Sequence, residues 1–216
     1  MVDSFYTRYS VFKKVGPMGE YHHGDLANAL LQSARAVLNE KGIHGLSLRA
    51  CAAHAGVSHA APTHHFKSLC GLLTELAVIA YNEFTLALQT RFQQVMDQEP
   101  QVRLQEVCQA YVDFAMKEPQ LFELMFSSIP LDFDNSRLKE SAAKAYEQLT
   151  NIVHPAFDEK DLSEDKREQA EMLVWSIVHG YASLLLNEQG RYGSDCKETS
   201  IVKLPDLNLL GDLLGS

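Results

Sequence analysis

From Leu46 to Phe66 the chain reads LSLRACAAHAGVSHAAPTHHF, a stretch rich in side chains that can hydrogen-bond base edges or neutralise phosphate. A helix-turn-helix needs a small residue where its helices touch. It also needs a Gly four positions on, to turn with positive φ, and an apolar residue to seat the second helix. Ala52, Gly56 and Val57 stand at those positions. Ser58 is then placed to cap a second helix, HAAPTHH, which would enter the major groove by its N-terminal end. The candidate DNA contacts are Arg49, Ser58, His59, Ala60, Thr63, His64, His65 and Lys67. Pro62 lacks the amide that would bond back to Ser58, which loosens the first turn. The AxxxG spacing by itself also serves plain tight packing of two helices.

Other chemistries find less support. His59 and His64 are five apart, and His64 and His65 point different ways on a helix, unlike the four-residue pairing that presents two metal ligands on one face. No metal and no cofactor is expected. Cys51, Cys70, Cys108 and Cys196 lie far apart without CxxC spacing and read as reduced, packed thiols. No paired carboxylates, activated nucleophile, Gly-rich phosphate loop or GxSxG elbow can be assigned, so an enzyme is not expected. A second group could line a pocket: Phe114, Phe122, Met125 and Phe126, with Trp175 and His179 four apart on one helical face. Each of these would equally pack the core of any helical domain.

The elements that must position these residues are helical throughout. Leu26, Leu30, Ala34, Val37 and Leu38 recur at three- and four-residue steps, predicting a helix over 24–41 that stops at Gly42. Ser47 caps a short helix, LRACAAHA, that ends at Gly56, and Ser68 begins a long one from 69 to about 96. Pro100, Pro119, Pro130 and Pro155 mark starts or breaks, separating helical patterns over 101–117, 120–127 and 135–153. A strong helix spans 163–189, with Glu164 and Asp165 at its positive end. A loop covers 190–203, and a leucine-rich terminal helix over 205–214 needs a partner surface. No alternating β-branched window suggests a sheet, so the fold class is all-α.

Charge divides the chain. The 216 residues carry a net charge of −9, which by itself argues against a nucleic-acid partner. Residues 1–73 nevertheless hold seven Lys/Arg against four acids, while the remainder carries all of the acidic excess. Seven of the nine histidines also lie in that first third. A mildly basic head on an acidic body suits a DNA-reading unit joined to a different functional unit. Apolar content of 46% and charged content of 22% are those of globular proteins. The longest apolar runs fall short of the roughly 18 residues a bilayer span needs, and no secretory signal is recognisable, so a cytoplasmic protein without a membrane partner is expected.

The segment YHHGDLANALLQSARAVLNEKGIHGLSLRACAAHAGVSHAAPTHHF followed by KSLCGLL resembles the N-terminal domain of TetR-type transcriptional regulators, with the AGVS turn and His65-Phe66 in register. Further on, WSIVHG, with Trp175, His179 and Gly180, resembles the Trp-His-Gly (WHG) signature of one subgroup's C-terminal domain. The resemblance implies a homodimer in which each subunit carries a three-helix head for double-stranded DNA. It also implies a helical body that dimerises and binds an effector. Thr63 stands where the family usually has Tyr and Leu69 where it has Lys, both phosphate or base-edge contacts, so weaker DNA binding is expected.

The expected organisation is an N-terminal arm over 1–20, with Arg8, Lys13 and Lys14 reaching a minor groove or packing on the domain. A helix-turn-helix domain follows over 21–73, then an effector-binding and dimerisation domain over 74–216. The expected function is an effector-responsive repressor. It would bind a palindromic operator as a homodimer and leave it when a small, mainly apolar molecule binds the body. The alternative is a helical ligand- or partner-binding protein that keeps the fold with weakened DNA binding.

Overall fold

The structure, a computed structural model, describes residues 23–126, 128–157, 163–187 and 203–208. The expected N-terminal arm, the 190–202 loop, Cys196 and most of the expected terminal helix lie outside the described residues.

Every regular element among the described residues is helical. Helix α1 (His23–Lys41) buries Leu30, Ala34, Val37 and Leu38. It ends where Gly42 takes a φ of 65°, a conformation that side chains resist. One 3₁₀ turn (Ile43–Gly45) leads to α2 (Leu48–Ala55), whose Ser47 cap accepts a hydrogen bond from the Ala50 amide at 3.1 Å. Gly56 closes α2 in the left-handed region at φ 67°, and the Val57 amide reaches back to the Ala52 carbonyl at 3.0 Å.

The second helix of this pair differs from expectation. Helix α3 runs only from Ala61 to Phe66, and the Ser58 side chain does not cap it. Pro62 is the physical reason. Its missing amide and fixed φ are tolerated in a first turn but not further inside, so the helix begins just ahead of it. Residues 58–60 instead form a turn closed by the Ala61 amide on the Ser58 carbonyl at 3.0 Å.

Ser68 caps α4 (Leu69–Val95) through the Gly71 amide at 3.1 Å. This 27-residue helix is about 40 Å long and is the axis of the molecule. It packs on α1 and α3 at one end. Further along it packs on α5 (Pro100–Lys117), α6 (Pro119–Phe126) and α7 (Ser136–Phe157). An 18-residue window of α4 reaches a mean hydropathy of 1.3, enough for a membrane span by composition, but half of it is buried against these neighbours. The last long helix is α8 (Glu164–Leu186), packed on α5 and α7. Pro155, expected at a break, lies inside the last turn of α7. The turn survives because it sits at the helix end, where the Ala156 carbonyl takes a hydrogen bond from Gln101 at 2.6 Å.

The core is continuous from Leu38 and Cys51 near the N-terminus, along Leu72, Leu76 and Phe84 of α4, to Val178 and Ala182 of α8. The boundary expected after residue 73 falls inside α4. One charged contact crosses the same junction. The Arg35 guanidinium of α1 donates to both carboxylate oxygens of Glu83 on α4, at 2.7 and 3.0 Å, and to Glu118 just before α6, at 2.9 Å. All three side chains are about three-quarters covered. Two carboxylates held this close need the cation between them. Replacing Arg35 with Met, which keeps the bulk and removes the charge, should cost about 1–3 kcal/mol of stability by urea unfolding. Adding Glu83→Gln and Glu118→Gln should restore at least half of that loss.

Candidate DNA-reading head and ligand chamber

On the head, Ala52 is fully buried where α2 meets its neighbours, as the sharp turn at Gly56 requires. The turn leaves Arg49, Ser58, His59, Ala60, Thr63, His64 and Lys67 exposed together around α3. His65 is half-buried. Its ring lies against His64 and Phe66, at centroid distances of 5.4 and 6.3 Å. Leu69 is also half-buried and packs on the core, so this chain fills with an apolar contact the place where the family pattern has a cation.

Lys67 has a φ of 64° and a ψ of −42°, and the Ser68 amide bonds to the Phe66 carbonyl at 2.7 Å across it. This is a γ-turn of the rarer hand, a strained state for a residue with a Cβ. The turn lets α4 start directly under α3, and Gly71 shows how tight the approach is. A Cβ there would lie 2.1 Å from the Phe66 carbonyl oxygen. The strain at Lys67 holds a cation on the rim of the exposed face.

In the body, α4, α5, α6, α7 and α8 wall a half-open cavity of about 210 Å³. An engineered cavity of roughly 150 Å³ admits benzene, so this one has room for a small ring with a substituent. Its walls include Tyr81, Phe84, Tyr111, Phe126, Tyr146 and Trp175. Of the six residues singled out in the sequence, Phe126 and Trp175 line the cavity directly. His179 stands behind, its Nδ1 2.8 Å from the Tyr111 hydroxyl and its ring stacked on Phe122 at 5.5 Å. Phe114, Phe122 and Met125 are buried around that wall, Phe114 edge-on to Phe84 at 5.2 Å.

Tyr81, Tyr111 and Tyr146 line the cavity without any motif that singles them out in the sequence. Their common signal is a polar-tipped aromatic on an apolar helix face, a pattern that core packing shares. Burial pushes the Cys108 thiol up to about 12, so this wall residue is no nucleophile at neutral pH. Burial also lowers the His179 pKa, favouring a neutral ring. Tyr146 is raised to about 12, first by its hydrogen bond to the buried Glu171 carboxylate, which accepts its proton at 2.6 Å. His154 engages the other oxygen of Glu171. Among the described residues no group of three or more His, Cys, Asp or Glu could hold a metal.

Comparison with known proteins covers both halves of the chain. Residues 30–76 match the family described as bacterial regulatory proteins, tetR family. Residues 104–201 match the family described as tetracyclin repressor-like, C-terminal domain. The HTH-type transcriptional regulator BetI of Pectobacterium carotovorum is 25% identical over 176 residues, spanning 70% of this chain and 89% of the relative. A solved structure of a protein of unknown function from Rhodococcus sp. RHA1 superposes with a TM-score of 0.69 at 30% identity, covering 82% of this chain and 90% of that one. The TetR family transcriptional regulator PfmR of Thermus thermophilus shares the fold with a TM-score of 0.57 at 19% identity, covering 79% and 96%.

Two measurements check this geometry. Lys67→Gly should relieve the strained turn, leaving stability unchanged or raised by about 1 kcal/mol in urea unfolding, while weakening binding to any duplex DNA. The buried, neutral His179 gives a pH dependence of known sign. Below its ordinary value of 6.5 the unfolded chain takes up a proton that the native ring resists. Its contribution is therefore full above that range and lost as the pH falls through it. His179→Gln should lose less of its thermal midpoint between pH 7.5 and pH 5.5 than the parent protein does.

Proposed function

We propose that this chain, which belongs to the TetR family of helix-turn-helix transcriptional regulators, is a homodimeric repressor released from a palindromic operator by a small, mainly apolar effector. The observation that carries this reading is the Arg35 contact. One guanidinium joins the helix that backs the head to α4, which walls the chamber, and to the start of α6, which supplies Phe126 to it. A molecule that favours a different spacing of α4 and α6 must therefore work against, or reset, the seat of the head. The head contacts DNA through the exposed group around α3, with Arg49 and Lys67 on phosphates and His59, Ala60, Thr63 and His64 at base edges. Reaching chromosomal DNA places the work in the cytoplasm.

The dimer rests on α8. Leu173 and Leu184 are exposed there, at 63% and 47%. With Ile177 and Gly180 between them they form one stripe at three- and four-residue steps, and a Cβ at Gly180 would meet nothing within 4 Å. Such a stripe on a monomer is an exposed apolar patch that a second α8 would cover, and a palindromic operator then asks for recognition helices about 34–36 Å apart.

Binding to a fragment of the protein's own upstream region, in excess competitor DNA at moderate salt, should be specific and steeply salt-dependent. His59→Ala with His64→Ala should weaken it at least about tenfold and leave non-specific binding within about twofold. No specific shift under those conditions contradicts the repressor reading. Leu173→Glu with Leu184→Glu should give monomers by sedimentation equilibrium at micromolar concentration, and a stable dimer would exclude α8 as the interface.

A further inference from the structure

The chamber walls are polar in one sense only. The Tyr81 hydroxyl donates its proton to the Met125 carbonyl at 3.1 Å, and the Tyr146 hydroxyl donates to Glu171. Both partners are pure acceptors, so these two oxygens offer a ligand lone pairs and no proton. The Tyr111 hydroxyl is engaged with His179, and Trp175 hydrogen-bonds that same hydroxyl. With the neutral His179 ring protonated on Nε2, its Nδ1 takes up the Tyr111 proton, and every strong donor among the wall residues is then committed to the protein. No Lys or Arg lines the cavity.

The consequences for a ligand are unequal. An incoming carboxylate would be stripped of water and meet no free donor or cation, a costly burial. An incoming ammonium would find no carboxylate in the wall either, but it would meet hydroxyl lone pairs and six aromatic side chains. The acidic excess of residues 74–216 biases the approach in the same direction. We propose that the chamber is selective for a small organic cation, a protonated amine or ammonium with an apolar ring or chain, against acids of the same size. This rests on the effector reading above and names the chemical class of that effector.

The chain has a single tryptophan, Trp175, which stands in the chamber wall and reports occupancy by its emission. The test titrates the full-length protein at pH 7 with three probes of one size: benzylammonium, benzyl alcohol and benzoate. Benzylammonium should bind at least about tenfold tighter than benzyl alcohol, and benzoate should leave the emission unchanged up to about 10 mM. Tyr81→Leu, which removes one ring and one oxygen from the wall without freeing a carboxylate, should weaken benzylammonium at least about fivefold and benzyl alcohol less than twofold. Equal or tighter binding of benzyl alcohol, or binding of benzoate, overturns the cation assignment and leaves the chamber standing as an effector site. Failure of all three probes to change the emission overturns the chamber as a ligand site, and the assignment with it.

Discussion

The structure depends on one helix that runs the length of a single continuous core. The N-terminal end of α4 completes the three-helix head through Leu72 and Leu76, while its middle presents Tyr81, Phe84 and Leu88 to the chamber. A close-packed interior transmits displacement poorly when elements can slide past one another and well when they cannot. Here they cannot slide freely, because Arg35 holds α1 to α4 and to the α5–α6 junction with three short hydrogen bonds. The planar guanidinium fixes direction as well as distance, which a lysine at that position could not do. Head and chamber are joined through this contact.

The head itself is assembled against local cost. Pro62 shortens α3 to six residues, and Lys67 holds a backbone state that favours glycine. Neither choice stabilises a helix pair by itself. Together they bring the first turn of α4 to within contact of the Phe66 carbonyl, where only Gly71 fits. The compensation comes from burial of Ala52, Leu72 and the neighbouring apolar side chains beneath the turn. Strain of this kind, placed beside an exposed polar face, is what a site that must hold its side chains in one arrangement requires.

Much of the fold was legible because its signals are local. Caps at Ser47 and Ser68 and stops at Gly42 and Gly56 place four of the helix ends, and the period of Leu30, Ala34 and Leu38 marks the buried face of α1. Ser58 misled for an instructive reason. Its type and position fit a cap, but Pro62 four residues later decides where the helix can begin. Pro155 misled in the opposite direction, since a helix end tolerates what its interior does not. The chamber was only partly legible. Phe126 and Trp175 carry a helical pattern that serves core and cavity alike, and the pairing of Tyr146 with Glu171 spans 25 residues with no motif to announce it. The Arg35 contact joins residues 48 and 83 positions apart, which periodicity cannot see.

If chamber and head share one equilibrium, linkage makes that coupling measurable from either end. If ligand weakens operator binding by some factor, operator must weaken ligand binding by the same factor. The most direct measurement is the affinity of benzylammonium, read from Trp175 emission, with and without a saturating operator duplex. Binding should be several-fold weaker on the operator, by the same factor by which the probe weakens operator binding. Identical affinities in the two titrations, with the probe bound in both, would contradict it.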